Sequence, residues 1–260
     1  MAGETAASGR GLEGKVALVT GAGQGVGQGI AFALAAEGAK IAAAGRTLRK
    51  LEATCAEIAH RGGEAIAIPC DVKKLESLER CVARVVEIHG RLDILVNNAQ
   101  EVPLGELEQV SEEAFAAGWE SGPLATFRLM KLCHPHLSRQ GGSIVNLAST
   151  AAMRWDMRRY GAYAAVKEAI RALTRAAACE WGGKGIRTNV ILPHAASPAL
   201  AGWIEANPEE AAAFMATIPQ GRVGDCEADI GRFVAVLCSD ASAYVNGQTI
   251  AIDGGQARVA

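Results

Sequence analysis

The sequence predicts an α/β fold: a single domain built on one doubly wound parallel sheet of about seven strands, with helices on both faces. Short apolar or β-branched runs alternate with longer helical patterns, as they do in consecutive β-α-β units. The 260 residues suffice for one large domain, and neither an internal repeat nor a long Pro/Ser-rich linker divides them. Hydrophobic residues make up 50% and charged residues 21%, the balance of a globular rather than a disordered protein.

The first three predicted strands each precede a helical pattern. KVALVT (15–20) is a buried apolar run that leads into a glycine-rich turn and a helix near 25–37, which Gly38 closes. KIAAAG (40–45) is followed by the helical stretch LRKLEATCAEIAHRG. EAIAIPCDV (64–72) is followed in the same way by LESLERCVARVVEIHG.

Four more runs complete the predicted sheet: LDILVNNA, GSIVNLAST, RTNVILP and GQTIAIDGG, at 92–99, 142–150, 187–193 and 247–255. A helix from Gly161 to Trp181 precedes the third of them. A single short apolar run is also compatible with a helix fragment, so it is the regular alternation that favours strands.

Composition argues against several classes of function. The formal net charge of −2 and the pI near 6.2 give no reason to expect nucleic acid as a partner. Seven scattered cysteines without a C-x-x-C motif indicate reduced thiols in a cytoplasmic protein and no metal site. Residues 1–11 lack an apolar run and read as a flexible arm, and no stretch approaches the ~20 apolar residues of a membrane helix.

A glycine-rich turn follows the first strand and opens the first helix. In TGAGQGVGQGI, Gly21, Gly25 and Gly27 follow Thr20 with the spacing G-x-x-x-G-x-G. Such a turn lets the backbone approach a phosphate and directs free helix N–H groups and the helix dipole toward it. A glycine cluster alone also makes a tight turn, but its place in an α/β pattern favours nucleotide binding.

Several motifs in register resemble the short-chain dehydrogenase/reductases. They are TGAGQGVG, NNA at 97–99, Ser149, YAAVK at 163–167 and the ending YVNGQTIAIDGG, and the resemblance extends from Leu12 to Gly255. It implies a single Rossmann-fold catalytic domain over 12–260, with 194–222 as a lid over the substrate. It also implies an NAD(P)(H)-dependent oxidoreductase acting on a small-molecule alcohol or carbonyl, assembled as a tetramer or dimer.

The resemblance assigns the cofactor contacts. In this family an acid at the end of the second strand favours NAD, and a nearby arginine favours NADP. Here Gly45 stands in place of the acid and Arg46 follows it, so NADP(H) is favoured and NAD(H) stays open; Gln24, where a second basic residue is frequent, weakens this preference. The implied cofactor-binding residues are Gly21, Gln24, Gly25, Val26, Gly27, Arg46, Asp71, Val72, Asn98, Ala99, Tyr163, Lys167 and Pro193.

Two tyrosines compete for the role of acid–base group. A phenol with a pKa near ~10 is a poor base at neutral pH, and a cation within ~4–6 Å lowers that pKa. On a helix Tyr163 and Lys167 share a face, whereas Tyr160 lies ~10 Å along the axis from the lysine. Tyr163 is therefore the predicted acid/base. By resemblance Ser149 binds the substrate oxygen and Lys167 also holds the nicotinamide ribose. Tyr160 is then a residue of the pocket wall or a packing residue.

One departure from the family concerns proton supply. The family places an asparagine on the helix after the fourth strand, where it holds a water in a relay to the lysine, but SGPLATF (121–127) has Gly122 there. Ser121 or a freed backbone carbonyl could hold the water, the relay could run differently, or the protein could be catalytically weak. The Gly-Pro pair should also bend or interrupt the helix.

Other departures lie around the expected substrate pocket. Gln100 replaces the usual glycine after NNA and is either a polar substrate contact or a tolerated loop residue. His194 replaces a glycine and is read as a histidine lining the cleft rather than a catalytic one; Pro198 stands at the family's threonine, whose role is not carried over. The pocket is expected to be largely apolar, lined by Met153, Trp155, Trp203, Phe214 and Met215. Charges in the loop after Ser149 either face solvent, contact another subunit or select a charged substrate: Arg154, Asp156, Arg158 and Arg159.

Two rivals to an oxidoreductase stay open. The missing asparagine is compatible with a catalytically weak dinucleotide-binding or sensing protein. A lyase or dehalogenase on the same scaffold is less compatible with the intact glycine turn and with a lysine rather than an arginine after Tyr163.

Overall fold

The computed structural model describes residues 11–154 and 158–257 and confirms the doubly wound α/β sheet. All seven strands of the sheet are parallel, in the order β3-β2-β1-β4-β5-β6-β7. The strands are β1 (Val16–Thr20), β2 (Lys40–Gly45), β3 (Ala65–Pro69), β4 (Ile94–Asn97), β5 (Gly142–Leu147), β6 (Ile186–Pro193) and β7 (Thr249–Ile252). The strand order reverses between β1 and β4, and ligands of such sheets bind at this point, outside the carboxyl ends of the strands.

Helices connect the strands and cover both faces. They are α1 (Gly25–Ala36), α2 (Leu48–His60), α3 (Leu75–His89), α4 (Glu112–Trp119), α5 (Ala125–Leu137), α6 (Gly161–Trp181), α7 (Pro198–Ala206), α8 (Pro208–Met215) and α9 (Arg232–Cys238). Two five- or six-residue π-helical segments, Glu120–Leu124 and Cys226–Gly231, lead into α5 and α9.

The apolar core lies on both faces of the sheet. On one face the buried side chains of β1 and β2 pack against α1, α2 and α9. On the other face they pack against α3, α5 and α6. The central residues of β1 and β2, 16–19 and 41–44, are all apolar because both faces of these strands are buried, as expected of a parallel sheet.

Helix α1 lies against the backbone of the second π-helical segment. A Cβ on Gly29 would stand 2.3 Å from the carbonyl carbon and oxygen of Cys226 and 2.6 Å from the nitrogen of Glu227. Glycine is required here because no side chain fits between two backbones at that distance. This contact ties α1, and with it the glycine-rich turn, to the segment that follows the expected lid.

The Gly-Pro pair changes the helix after β4 without ending it. Pro123 lacks the N–H that an α-helix would use at this position. The chain instead widens by one residue over Glu120–Leu124, where the N–H of Ala125 donates to the carbonyl of Glu120, and α5 continues to Leu137. The expected interruption is therefore a π-helical turn between two helical halves.

Predicted and observed boundaries differ mainly at the carboxyl ends of strands. Four strands end two to three residues earlier than predicted: β3, β4, β5 and β7. The residues that follow them serve the site instead of the sheet, since their N–H groups bond side chains such as Thr20 and Ser77. The predicted arm falls mostly on residues 1–10, which lie outside the described residues.

Candidate active site

A cleft of about 500 Å³ opens at the carboxyl edge of the sheet, where the strand order reverses. Nine of the sequence-predicted cofactor residues line it: Gly21, Gln24, Gly25, Val26, Arg46, Asp71, Val72, Asn98 and Ala99. They come from the turns after β1, β2, β3 and β4. The remaining four lie outside the lining of this cleft: Gly27 on α1, Tyr163 and Lys167 on α6, and Pro193 at the end of β6.

The glycine-rich turn closes tightly against the turn after β4. Gly21 and Gly25 have positive φ angles of 68° and 57°, which side chains rarely adopt. A Cβ on Gly27 would stand 2.4 Å from Nδ2 of Asn98 and 2.5 Å from the carbonyl oxygen of Gly21. The Gln24 side chain makes no capping hydrogen bond to α1. The first-turn N–H groups of α1 therefore face the cleft, which is the geometry of an anion site.

Thr20 holds the two turns together, a role that sequence reasoning did not assign. Its Oγ1 donates to the carbonyl of Val96 at 3.3 Å and accepts from the N–H groups of Asn98 at 3.0 Å and Ala99 at 3.1 Å. Asn98 in turn donates from Nδ2 to the carbonyls of Thr20 at 2.9 Å and Gly21 at 3.2 Å. Asn98 thus shapes the floor of the cleft with its side chain turned into the protein.

A cluster of charges occupies the outer end of the cleft. Glu101 contacts Arg46 at 2.8 Å and Lys73 at 3.1 Å, so it joins the ends of β2, β3 and β4. The ammonium of Lys50, on α2, donates to Oε1 of Gln24. Sequence reasoning identified Arg46 and Gln24 but missed the three other charged groups, because their proximity depends on how the turns fold over one another.

Ser149 and Tyr163 meet beside the end of β5. Ser149 follows β5 by two residues and its Oγ accepts from the N–H of Ala151 at 3.2 Å, which holds the side chain in place. Its hydroxyl lies near enough to Tyr163 to lower the pKa of that phenol, against the larger effect of burial. Tyr160 packs edge-on against Tyr163, with ring centroids 6.3 Å apart. The two tyrosines are therefore not equivalent, and Tyr163 is the one whose pKa responds to Ser149.

Lys167 is buried one helical turn beyond Tyr163. Its side chain is 3% exposed, and its ammonium donates to the carbonyl of Leu147 at 2.8 Å. The same nitrogen lies 5.4 Å from the ring centroid of Tyr163. The helical spacing thus places the two groups on one face of α6.

Burial dominates the protonation of both groups. It raises the pKa of Tyr163 to about 12, against the opposing effect of the Ser149 hydrogen bond, and lowers the pKa of Lys167 to about 7. We expected the lysine to lower the pKa of the tyrosine. The structure differs because the ammonium bonds the Leu147 carbonyl and is itself desolvated. Tyr163 therefore holds its proton at neutral pH, as a general acid must.

The two departures at positions 100 and 122 are in direct contact. A Cβ on Gly122 would stand 2.4 Å from Oε1 of Gln100. Ser121 is engaged elsewhere: its Oγ accepts from the N–H of Glu101 at 2.9 Å and donates to the carbonyl of Ala117 at 2.7 Å. The expectation that Ser121 replaces the asparagine is therefore not supported.

Three aromatic side chains of the expected lid segment, 194–222, pack against one another. The rings of His194 and Phe214 lie edge-on with centroids 5.2 Å apart, and those of Phe214 and Trp203 are 5.8 Å apart. Burial lowers the pKa of His194. Neither ring nitrogen of His194 has a hydrogen-bond partner within residues 11–154 and 158–257. His194 is thus a neutral aromatic contact of the lid.

Two of the expectations concern residues that the structure does not describe. The predicted pocket residue Trp155 and the predicted surface charge Asp156 belong to residues 155–157, which are not described. In the described ranges no cluster of His, Cys, Asp and Glu could hold a metal ion. No helix among the described residues is both long and apolar enough to cross a bilayer.

Comparison with known proteins assigns this geometry to a family. The model of the family described as Enoyl-(Acyl carrier protein) reductase matches residues 21–257. A 12alpha-hydroxysteroid dehydrogenase from a Clostridium species is 37% identical over 252 residues, which are 94% of this chain and 97% of the relative.

Solved structures agree in fold over nearly the whole chain. A putative NAD(P)-dependent gluconate 5-dehydrogenase from Beutenbergia cavernae, with bound NADP at low occupancy, has a TM-score of 0.89 and 35% identity, covering 96% of this chain and 99% of its own. A 7 alpha-hydroxysteroid dehydrogenase complexed with NADH and 7-oxo glycochenodeoxycholic acid has a TM-score of 0.90 and 31% identity, covering 96% and 97%.

Proposed function

The chain belongs to the short-chain dehydrogenase/reductase family, NAD(P)-dependent oxidoreductases that act on hydroxyl and carbonyl groups, and from that premise we propose how its own residues carry the reaction. Tyr163 is the general acid/base, Ser149 binds the substrate oxygen, and Lys167 would hold the nicotinamide ribose. The observation that carries this assignment is the placement of Tyr163 near Ser149, one helical turn from the buried Lys167.

The cleft residues fit a nicotinamide dinucleotide. A bound dinucleotide would supply or accept a hydride at its nicotinamide ring. The uncapped N-terminus of α1 and the Gly21–Gly27 turn would hold the pyrophosphate, because backbone N–H groups are exposed where side chains would block approach. Asp71 and Val72 would bracket the adenine, and the segment with Asn98 and Ala99 would pass beneath the dinucleotide.

The residues that move the proton have protonation states suited to reduction. Because Tyr163 has a pKa of about 12, it is protonated at neutral pH and can donate to the oxygen of a carbonyl that receives a hydride. Ser149 would donate a hydrogen bond to the same oxygen and stabilise its developing charge. Oxidation of an alcohol needs the deprotonated tyrosine, so we propose that reduction runs well at neutral pH and that the rate of oxidation rises with pH.

The charges at the outer end of the cleft support a preference for NADP(H). No acid stands at Gly45 to accept the ribose hydroxyls, and Arg46 follows it. The ammonium of Lys50 lies beside Gln24, the position at which the family frequently has a second basic residue. Lys50 therefore supplies a positive charge that Gln24 lacks. Glu101 acts against this preference. Its ion pair with Arg46 must loosen before Arg46 can pair fully with a 2′-phosphate.

Variants of this charge cluster should move cofactor preference in opposite directions. Arg46→Gln is expected to raise the KM for NADPH by about tenfold while the KM for NADH changes little, since one charge-assisted pair is lost. Glu101→Gln is expected to lower the KM for NADPH severalfold. Initial rates with both nucleotides at low salt measure the effect. Arg49→Gln, at the start of α2 and outside the cleft, is the control; an equal change for both nucleotides would contradict the assignment.

The substrate is proposed to be an alcohol or ketone on a largely apolar skeleton. His194, Phe214 and Trp203 present ring surface from the segment 194–222, which we propose closes over the substrate. The hydroxysteroid dehydrogenases among the relatives support a bulky substrate, and the gluconate 5-dehydrogenase supports a polar one.

Initial rates of NADPH and NADH oxidation across a carbonyl panel test the function. The panel contains steroid ketones, keto sugar acids and small aliphatic ketones, and the alcohol products are identified by mass spectrometry. The proposal requires nucleotide oxidation that depends on the carbonyl compound. A protein that binds NADPH and oxidises none across the panel would instead be the dinucleotide-binding or sensing protein that remains the alternative.

An apolar groove supports assembly into a homo-oligomer, a tetramer or a dimer. It is lined by α4, α5, their π-helical turn and α6, including Trp119 and Phe127, which are each 42% exposed. Two large aromatic side chains on one open face are typical of a protein–protein contact. Continuity with α6 would let assembly stiffen the helix that carries Tyr163.

Sedimentation velocity tests the assembly. The unmodified protein is expected to sediment as a tetramer or dimer, and Phe127→Lys is expected to lower the mass because it places a charge in an apolar contact. Tyr244→Lys, at an exposed site away from the groove, is the control. A monomer at micromolar concentration for the unmodified protein would contradict the proposal.

The remaining expectations concern organisation and location. We propose that residues 12–260 act as one catalytic domain behind a short arm. A cytoplasmic location is supported by the cysteines, all seven of which are free in the structure.

A further inference from the structure

Two backbone carbonyls fix the orientation of the Gln100 side chain. Its Nε2 donates to the carbonyl of Glu101 at 2.7 Å and to that of Gly118 at 2.8 Å. Only the nitrogen of the amide can donate to a carbonyl, so these contacts also settle which end carries Oε1. Oε1 is buried, and no hydrogen-bond donor in the described parts of the chain reaches it.

Gly122 and Gln100 are complementary in shape. A Cβ at position 122 would stand 2.4 Å from Oε1 and 2.9 Å from Nε2 of Gln100, and 2.9 Å from Cγ1 of Val166. No side chain fits at 122 while Gln100 holds its place. The family has a glycine at position 100 and an asparagine at position 122, whereas this chain has Gln100 and Gly122. The carboxamide in this space therefore comes from position 100 instead of position 122.

Oε1 of Gln100 is a buried acceptor that a water could bond. A buried carbonyl oxygen without a donor is unfavourable, so a water is expected to bond it. Gln100 lines the cleft, and the space at position 122 that it faces is also bordered by Val166 of α6, the helix that carries Lys167. An ammonium has three donors, and Lys167 gives one to the Leu147 carbonyl.

We propose that Gln100 is a positioning residue in proton supply: its Oε1 holds a water that passes protons from solvent to the amino group of Lys167. The inference rests on the proposed roles of Tyr163 and Lys167. In each reduction Tyr163 gives one proton to the substrate oxygen and recovers one that Lys167 releases. The water reprotonates Lys167 and takes a proton from solvent, so one proton moves and no other bond changes.

An exchange of the two residues tests the inference. Gln100→Gly is expected to lower kcat by roughly tenfold and to shift the pH at which kcat falls by about one unit, with the KM for NADPH nearly unchanged. Adding Gly122→Asn returns a carboxamide from the other side. The double variant is expected to recover kcat to within about threefold of the unmodified enzyme and to restore its pH profile.

The controls separate this inference from the proposed function. Ser121→Ala removes a neighbouring hydroxyl that bonds only backbone groups and Gln100, and should keep the original pH profile. Circular dichroism checks each variant for folding, and if the double variant fails to fold, Gln100→Gly decides alone. An unchanged kcat and pH profile in Gln100→Gly, or a folded double variant as slow as the single one, overturns the inference. If Tyr163→Phe is inactive in that case, the proposed function still stands; if the unmodified protein is inactive, the proposed function itself fails.

Discussion

Tyr163→Phe is expected to lower kcat for ketone reduction by about 10²- to 10⁴-fold, the usual contribution of general acid catalysis. The substitution removes one hydroxyl and leaves the ring in its contact with Tyr160. Burial keeps the Tyr163 hydroxyl protonated at neutral pH near Ser149, the proposed ligand of the substrate oxygen, so this hydroxyl is the proposed proton donor. Initial rates with the best carbonyl compound of the panel measure the loss.

The matched control is Tyr160→Phe, which removes the hydroxyl of the neighbouring tyrosine. It should reduce kcat far less, because Tyr160 contacts Tyr163 through its ring. Fluorescence titration with NADPH should give nearly the same dissociation constant for Tyr163→Phe as for the unmodified protein. Equal losses from the two substitutions would show that the hydroxyl of Tyr163 has no special role.

Lys167→Met is expected to lower activity while making the protein more stable. The lysine is 3% exposed, and burial lowers its pKa to about 7 from the ordinary 10.5, so the folded state disfavours its charge. Methionine fills a similar volume without a charge. Allowing for the lost bond to Leu147, the free energy of unfolding at about pH 7 should rise by about 1–2 kcal/mol.

This gain in stability should depend on pH in a defined direction. Between the folded pKa of about 7 and the unfolded value of 10.5, the unfolded chain binds more protons than the folded one. The unmodified protein is therefore stabilised as pH rises, and the advantage of Lys167→Met shrinks by about 1 kcal/mol per pH unit. Urea unfolding of both proteins at about pH 7, 8 and 9 measures it. A difference independent of pH would mean that the lysine's pKa is not lowered.

Much of the fold could be predicted because it depends on local pattern. The strand β2 and the helix α6 begin and end where the sequence predicts, since glycines and apolar runs mark their limits. The π-helical turn at Pro123 was visible only as an interruption, because the way a chain absorbs a missing N–H depends on packing around it. The sequence predicted the ends of four strands two to three residues beyond their observed ends. The residues that follow these strands have strand-like sequences, but they belong to the site and not to the sheet.

The candidate site was predictable where its residues sit in one motif and not where they meet across turns. Tyr163 and Lys167 are one helical turn apart, so spacing alone placed them together. Glu101 joins Arg46 and Lys73 across 55 and 28 residues, and no local signal announces this. Gln100 and Gly122 were each recognised as departures. The sequence shows a longer side chain than usual at position 100 and no side chain at position 122. Only the structure shows that the two positions are in contact and that one change compensates for the other.

The central claim is that this chain transfers a hydride to a carbonyl carbon with Tyr163 as the proton donor. Its most direct test uses NADPH deuterated at the nicotinamide carbon that carries the transferred hydride, in a single turnover with a ketone of the panel. Mass spectrometry of the product should find deuterium on the carbinol carbon with the unmodified enzyme and almost no product with Tyr163→Phe. Alcohol that lacks the deuterium, or equal product from both proteins, would contradict the account.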